Sequence, residues 1–385
     1  VEVASSQLRA PSLEPAQPLR VLIDGRKIGD GGIGVYIENL IAGLCEIGGV
    51  DLSVIARPSV STPLLGAAGV RWIIDKARPY SLDELLFMAG RLDLKSYDVF
   101  HAPHYMLPMR LPMPSVVTVH DLIHITHPER FYYPFVARRL IGSAMRRADA
   151  VLAVSEATKS QLLRAFSISP SKVSVVPNAV ARFLGSSVAA VASSAGSEPP
   201  FFLSVFSNVK PHKGLLDLVT AYRIYCDSLI WKGCLQDRPR LVLAGYGTES
   251  VHNDPTLIRL IESAGIEIRG ALSDEALGGL YRSATAVVVP AYVEGFCLPA
   301  LEAQAVGVPI LCRPVAAIKE LLTERDVVAV DFSVEALVQV LHEGLMRGLS
   351  SDRVVLRPHL ARYSQATVAQ SVRDIYRQVA SQRGI

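Results

Sequence analysis

Residues 20–34 read RVLIDGRKIGDGGIG: an apolar run from Arg20 to Asp24, a glycine-crowded stretch ending in Asp30-Gly-Gly-Ile-Gly34, then a helical pattern entered through Val35-Tyr36. A short apolar run bounded by turn residues marks a strand covered on both faces, as parallel strands are. The signature recurs at residues 52–56, 71–74, 99–101, 115–119, 150–154 and 173–176. Between them apolar residues take helical spacing: Leu40, Ile41 and Leu44 mark one helix, and Leu82, Leu85, Leu86 and Met88 another. Strand–helix alternation of this kind predicts a doubly wound α/β sheet.

The pattern breaks at residues 185–200, GSSVAAVASSAGSEPP, whose small and flexible composition reads as a linker. A second alternating series follows at residues 201–205, 240–244, 266–269, 286–289, 309–312 and 327–330. Two α/β domains in tandem are expected: a loose tail over 1–19, a first domain over 20–184, and a second over 201–360. Sheets of this class bind ligands at the carboxyl ends of their strands, so the cleft between the domains is the expected site.

A chain of 385 residues is long for one core and suits two domains. Its 39 Lys+Arg against 36 Asp+Glu leave a net charge of +3, too little for a protein that coats nucleic acid. Apolar runs fall well short of the ~20 residues that a spanning helix needs. Five cysteines, Cys45, Cys226, Cys234, Cys297 and Cys312, form no CxxC pair and suit a reducing compartment. With no leader pattern at the N-terminus, a cytoplasmic protein is expected.

Two constellations carry chemistry. Glycines at 31, 32 and 34 let backbone N–H groups approach a phosphate at a helix N-terminus, although a plain tight turn uses the same residues. The second is Glu294-Gly-Phe-Cys-Leu-Pro-Ala-Leu-Glu302. Pro299 suits a first helical turn, and Glu302 is expected in that same turn. There the helix dipole favours the ionised carboxylate, which accepts hydrogen bonds from a vicinal diol such as a ribose. Glu294 is expected in the loop before the helix. Cys297, near the same helix N-terminus, is placed for a lowered pKa but has no histidine partner in the sequence.

The segment EGFCLPALEAQAVGVPI resembles the EGFGLPxLEAMAxGxPV segment of the family 4 glycosyltransferases, GT-B enzymes that use nucleotide sugars. Pro211-His-Lys-Gly214 resembles the family's phosphate-binding segment, and His120-Asp121 its His-Asp after a strand. Ala153-Val-Ser-Glu156, Val176-Pro-Asn178, Leu280-Tyr281 with Pro290, and Ala361-Arg-Tyr-Ser364 are similar to further landmarks. The stretch HAPHYMLP from His101 looks most like the mannosyltransferase branch.

The resemblance implies the GT-B fold: two Rossmann-like doubly wound domains facing a central cleft, with a helix in 361–385 that returns to the first domain. It implies retaining, metal-independent transfer of a hexose to a glycan or lipid-linked acceptor. GDP-mannose is the first donor expected, with UDP-glucose or a deoxyhexose donor as alternatives. Lys213 would neutralise the diphosphate, helped by the amides of Gly32 and Ile33. Glu302 would hold the ribose, and Glu294 and His120 would contact the sugar. Asn208, Lys210, Gly270, Gly295, Phe296, Cys297 and Leu298 complete the implied donor-binding set.

Three departures stand out. The arginine that usually precedes the phosphate lysine is missing from Phe206-Ser-Asn-Val-Lys210, and a lysine cannot copy its bidentate contact. Cys297 stands where the family has glycine, and Gln365 where it usually has tryptophan. These departures motivate the alternative of a non-catalytic GT-B subunit that binds a glycan or a partner. An NAD-dependent oxidoreductase is disfavoured, because the first strand–helix–strand unit lacks the acidic ribose residue.

Two further groups have competing readings. His120, Asp121, His124 and His127 fit no metal-site spacing, so no metal is expected there. Phe131-Tyr-Tyr-Pro-Phe135 with Arg138, Arg139, Arg146 and Arg147 reads first as an ordinary helix with a solvated basic face. Peripheral association with an anionic membrane, near a lipid-linked acceptor, is the second reading.

Overall fold

The computed structural model describes residues 17–66, 69–181, 184, 199–231, 238–350 and 357–384. Most of the expected tail and residues 185–198 of the expected linker lie outside the described residues.

A seven-stranded parallel sheet runs in the order β3-β2-β1-β4-β5-β6-β7. Its strands are β1 (Leu19–Asp24), β2 (Val50–Ala56), β3 (Val70–Ile74), β4 (Val99–Ala102), β5 (Ser115–Val119), β6 (Ala150–Ala153) and β7 (Val173–Val175). A six-stranded parallel sheet follows in the order β10-β9-β8-β11-β12-β13. It comprises β8 (Phe201–Val205), β9 (Arg240–Ala244), β10 (Glu267–Ile268), β11 (Ala286–Val289), β12 (Ile310–Cys312) and β13 (Val327–Val328). The apolar runs form strands because helices cover both faces of each sheet; Val21, Leu22 and Ile23 have no exposed surface at all.

The first domain's helices are α1 (Gly31–Ile47), α2 (Leu82–Leu86), α3 (Met88–Arg91), α4 (Ile123–Thr126), α5 (Tyr133–Arg147) and α6 (Glu156–Ala165). The second contains α7 (Leu215–Trp231), α8 (Pro255–Ser263), α9 (Asp274–Ser283), α10 (Leu298–Ala305), α11 (Ala316–Lys319) and α12 (Val334–Ser350). After α13 (Arg357–Ala361) the chain enters α14 (Gln365–Ser381), which packs on α1. Contact there is close: a Cβ on Gly43 would lie 2.6 Å from the Gln365 carbonyl oxygen. A buried hydrogen-bonded chain ties α14 in, from Tyr376 to His101 (2.6 Å), from His101 to Thr118 (2.8 Å), and from Thr118 to Tyr36 (3.1 Å).

The helix expected around Leu82 departs from its pattern. It breaks at Phe87, and its apolar side faces outward, with Leu82 71% and Leu86 48% exposed. Glu84 is the buried residue of α2, because its carboxylate reaches the Arg26 guanidinium at 2.8 Å. A buried charge needs a countercharge, and that requirement outweighed the burial of two leucines.

Each sheet reverses its strand order once, between β1 and β4 and between β8 and β11. The loops after β8 and β11 therefore meet at a switch point, where sheets of this type bind ligands.

Candidate functional site in the interdomain cleft

The loop after β8 ends in a turn at Pro211–Lys213, followed by Gly214 at φ +71°. A side chain at Gly214 would put its Cβ 2.2 Å from the Pro290 carbonyl oxygen, so only glycine lets this loop lie on the loop after β11. Arg313, fully buried, fastens the two loops from below. It donates to the Pro290 carbonyl at 2.8 Å and to Asp217 at 2.5 Å, and lies 4.0 Å from the centre of the Tyr292 ring. The Tyr292 amide donates to the His212 carbonyl at 2.9 Å. This framework brings the Lys213 ammonium within 2.7 Å of the Glu294 carboxylate. Burial disfavours the charge on Lys213, but Glu294 overcomes it and leaves the ammonium pKa above its usual value. Both side chains keep some exposure, 17% for Lys213 and 15% for Glu294.

Glu302 departs from expectation. The helix α10 begins at Leu298, so Glu302 falls beyond its first turn and the dipole gives it little help. Its carboxylate is buried and accepts a hydrogen bond from the Tyr281 hydroxyl at 2.5 Å. Burial dominates over that bond and pushes its pKa up to about 7. Instead of a dipole-held carboxylate, the cleft holds one that titrates near neutrality.

Cys297 caps this helix in the left-handed region, at φ +85° and ψ +80°. Such a conformation costs a non-glycine residue roughly 1–3 kcal/mol, which accounts for glycine at this position in the family pattern. Burial raises its thiol pKa well above the ordinary value, opposite to the lowering expected at a helix start. The thiol therefore stays protonated and is no nucleophile.

The first domain closes on this site. A Cβ on Gly295 would fall 1.8 Å from the His120 carbonyl oxygen, so the glycine is required by the approach of the two domains. The Gly295 carbonyl accepts from Ser155 at 2.6 Å and from Thr158 at 3.2 Å. Glu320 reaches from the second domain to the start of α6, accepting from the amides of Glu156 (3.0 Å) and Ala157 (2.7 Å). Cβ positions on Gly31 and Gly32 would lie 3.8 Å from Ser207 and from Leu298 respectively. The glycine turn after β1 thus faces the start of α10 across the cleft.

His120 donates from Nε2 to the Pro103 carbonyl at 2.9 Å, which leaves Nδ1 as an acceptor. Burial lowers its pKa, with the Pro103 bond opposing, so the ring is neutral near pH 7. Phe296 is buried, with its ring against Tyr363. Lys210 pairs across the cleft with Glu129 at 2.5 Å, and the Asn208 side chain accepts from the Lys210 amide at 3.3 Å. Gly270 lies to one side, its carbonyl accepting from the Gly245 amide at 2.7 Å.

The histidines after β5 do not gather. His124 stacks edge-on against Tyr105 and Tyr133, and His127 meets the Thr126 hydroxyl at 3.0 Å. Among the described residues, Asp24, Glu84 and His104 are brought close enough to hold an ion. Arg26 already occupies that centre, 2.6 Å from Asp24 and 2.8 Å from Glu84.

The family model "Glycosyltransferase Family 4" matches residues 30–182, and "Glycosyl transferases group 1" matches residues 190–353. The chain belongs to glycosyltransferase family 4. This glycosyltransferase is 28% identical over 281 residues to O-antigen chain mannosyltransferase B of Escherichia coli, covering 68% of this chain and 69% of that one. It is 26% identical over 254 residues to the serotype-specific mannosyltransferase WbdA of Escherichia coli, covering 61% of this chain but only 29% of the relative. Its fold is similar to sucrose-phosphate synthase of Thermosynechococcus elongatus, with a TM-score of 0.72 at 17% identity over 94% of this chain and 99% of that one. At that identity the likeness shows the fold alone, which is GT-B.

The roles of three buried residues were not legible in the sequence. Tyr281 is a landmark in the sequence, but only the packing of α9 on α10 shows its hydroxyl on Glu302. Arg313 and Arg26 each directly follow or nearly follow a buried strand, and that position was the available signal.

Proposed function

We propose that this glycosyltransferase moves a mannosyl group from GDP-mannose to a glycan or lipid-linked acceptor in the cytoplasm, with retention of configuration and without a bound metal. The observation that carries this reading is the Lys213–Glu294 pair, 2.7 Å apart at the switch point of the second sheet. In this pairing each residue holds the place of a donor group. The donor diphosphate would take the Lys213 ammonium from Glu294, and the freed carboxylate would accept sugar hydroxyls. Glu302, once ionised, would accept from both ribose hydroxyls.

The acceptor oxygen forms its bond to the anomeric carbon as the bond from that carbon to the diphosphate oxygen breaks. The acceptor's proton passes to the departing diphosphate on the same face. Fixed cations and amides then stabilise the charge on the leaving group. His120, neutral and with Nδ1 free to accept, would orient the sugar. The mannosyltransferases among the relatives support mannose as the first donor to try.

Transfer assayed over GDP-mannose, UDP-glucose and deoxyhexose donors, with product analysis, tests this. GDP-mannose is expected to give an α-linked product, and Lys213→Ala to reduce its rate by about 10²–10³-fold, the usual cost of a preorganised charge partner. No transfer from any donor, with no thermal stabilisation by any of them, would favour the non-catalytic subunit.

A further inference from the structure

Strands β5 and β6 are parallel neighbours with Val119 opposite Ala153, so the residues that leave their carboxyl ends emerge side by side. His120 follows the first strand, and Val154-Ser155 follows the second. Val154 is buried in the apolar cluster of the second domain, together with Phe296 and Cys297, so this strand exit is seated in the opposite domain. Ser155 then caps α6 from an extended conformation, its Oγ accepting from the Thr158 amide at 3.0 Å. That one bond completes the cap. It leaves the hydrogens of the Ser155 and Thr158 hydroxyls for other acceptors, and both residues are buried, at 2% and 1% exposure.

Both hydrogens reach the loop that carries Glu294. Ser155 donates to the Gly295 carbonyl at 2.6 Å, and the Thr158 hydroxyl lies 3.2 Å from that carbonyl and 3.3 Å from the carbonyl of His120. A hydroxyl has one hydrogen, so Thr158 shares it between acceptors from the two domains. Carbonyl oxygens repel one another when they approach, and a hydrogen placed between them turns that repulsion into attraction. The approach is close here, because a Cβ on Gly295 would fall 1.8 Å from the His120 oxygen. Glu320, just after α11, also holds the start of α6, through the amides of Glu156 at 3.0 Å and Ala157 at 2.7 Å. The hydroxyl pair thus fixes the backbone beside Glu294 and the backbone of His120 at a single point.

We propose that Ser155 and Thr158 are positioning residues for the transfer: their hydroxyls set Glu294 and His120 at one spacing across the cleft, and that spacing exists only while α6 is seated on Gly295. The role in transfer rests on the reading of Glu294 and His120 as sugar contacts; the joint itself does not. Lys213 comes from a different loop, the one after β8, so the diphosphate end of the site is not set by this joint. A helix cap that serves stability alone would affect every property of the site through the folded fraction. A joint between these two loops affects the sugar end selectively, and a reacting group displaced by about 1 Å loses rate on the order of a hundredfold.

The test compares Thr158→Val, Thr158→Ser and Ser155→Ala with the wild type, below the lowest thermal midpoint of the four. Thr158→Val keeps the amide that Ser155 caps and removes the hydroxyl, whereas Thr158→Ser keeps the hydroxyl. At saturating donor the transfer rate is expected to fall about tenfold to a hundredfold in Thr158→Val and Ser155→Ala, and to stay near the wild type in Thr158→Ser. Calorimetry should show GDP binding unchanged in all of them, with the advantage of GDP-mannose over GDP reduced in the two slow variants. Amide hydrogen exchange over residues 290–298 should quicken in those two variants. Unchanged rates in both overturn the proposal, as does Thr158→Ser turning over as slowly as Thr158→Val. GDP affinity that falls in parallel with the rate overturns it too, since that marks a loss of fold rather than of position. A wild type that transfers from no donor fails the glycosyl-transfer reading instead; the exchange measurement then decides the joint, faster exchange supporting it and unchanged exchange overturning it.

Discussion

Arg26 and Lys213 are both buried or half-buried cations set against carboxylates, one in each domain, and they differ in how completely they are answered. Arg26 has no exposed surface and meets Asp24 through two nitrogens, Glu84 through a third contact, and the Ala77 carbonyl besides. Burial works against the charge on Asp24, but the bonds from Arg26 and His104 overcome it and hold its carboxyl well below the usual range. Lys213 has one carboxylate oxygen at 2.7 Å and a path to solvent. A saturated cluster has no capacity left for a ligand and serves the fold. A cation with one replaceable partner is free to exchange it. Saturation, more than charge, separates the structural cluster from the proposed donor site.

The largest effect should follow from breaking the saturated cluster. Arg26→Met leaves Asp24 and Glu84 buried without their cation and is expected to cost about 3–5 kcal/mol of stability. Urea unfolding reads this directly, and a loss under about 1 kcal/mol would place the cluster among weak surface-type pairs. Activity should fall only in proportion to the unfolded fraction.

Glu302 sharpens the contrast through pH. Its folded pKa of about 7 lies above the ordinary value of 4.5, so the folded state holds its proton more tightly than the unfolded chain. The group therefore adds no penalty at low pH, and stability declines as pH rises between those two values, with the whole penalty present above 7. Glu302→Gln keeps an acceptor for Tyr281 and removes the titration. Its stability relative to the wild type should rise by up to about 3 kcal/mol between about pH 4 and pH 8. A difference that stays flat with pH would mean that Glu302 titrates normally. Donor KM should rise in the wild type as pH falls below neutrality, because a protonated carboxyl accepts fewer bonds.

The smallest effect concerns Cys297. Glycine there relieves the left-handed backbone but loses a buried thiol, so Cys297→Gly should change stability by less than about 1 kcal/mol. Cys297→Val, β-branched at φ +85°, should lose roughly 2 kcal/mol or more. Equal unfolding midpoints for the two variants would remove the strain from the account.

The strands were largely legible because parallel strands buried on both faces are continuous apolar runs, as at Val21–Ile23 and Val287–Val289. The glutamate motif was legible as a motif, since its glycine and proline positions restrict the loop. What escaped was set by partners distant in sequence. Glu84 turned inward and exposed Leu82 because Arg26, 58 positions earlier, required a second carboxylate. Glu302 became a group titrating near neutrality because packing buried it beside Tyr281, which no local spacing encodes. The helix over Tyr133–Arg147 was legible as an ordinary one: Ala137, Ile141 and Met145 are buried, and Arg138, Arg139 and Arg146 are exposed.

The central claim is that Lys213 exchanges Glu294 for a donor diphosphate. Calorimetric titration of GDP into the wild type and Lys213→Ala tests it without any acceptor. The account predicts saturable binding that weakens by about tenfold or more in the variant, the worth of one charge-assisted contact to phosphate. Equal affinities in the two proteins, with both folded, would contradict it.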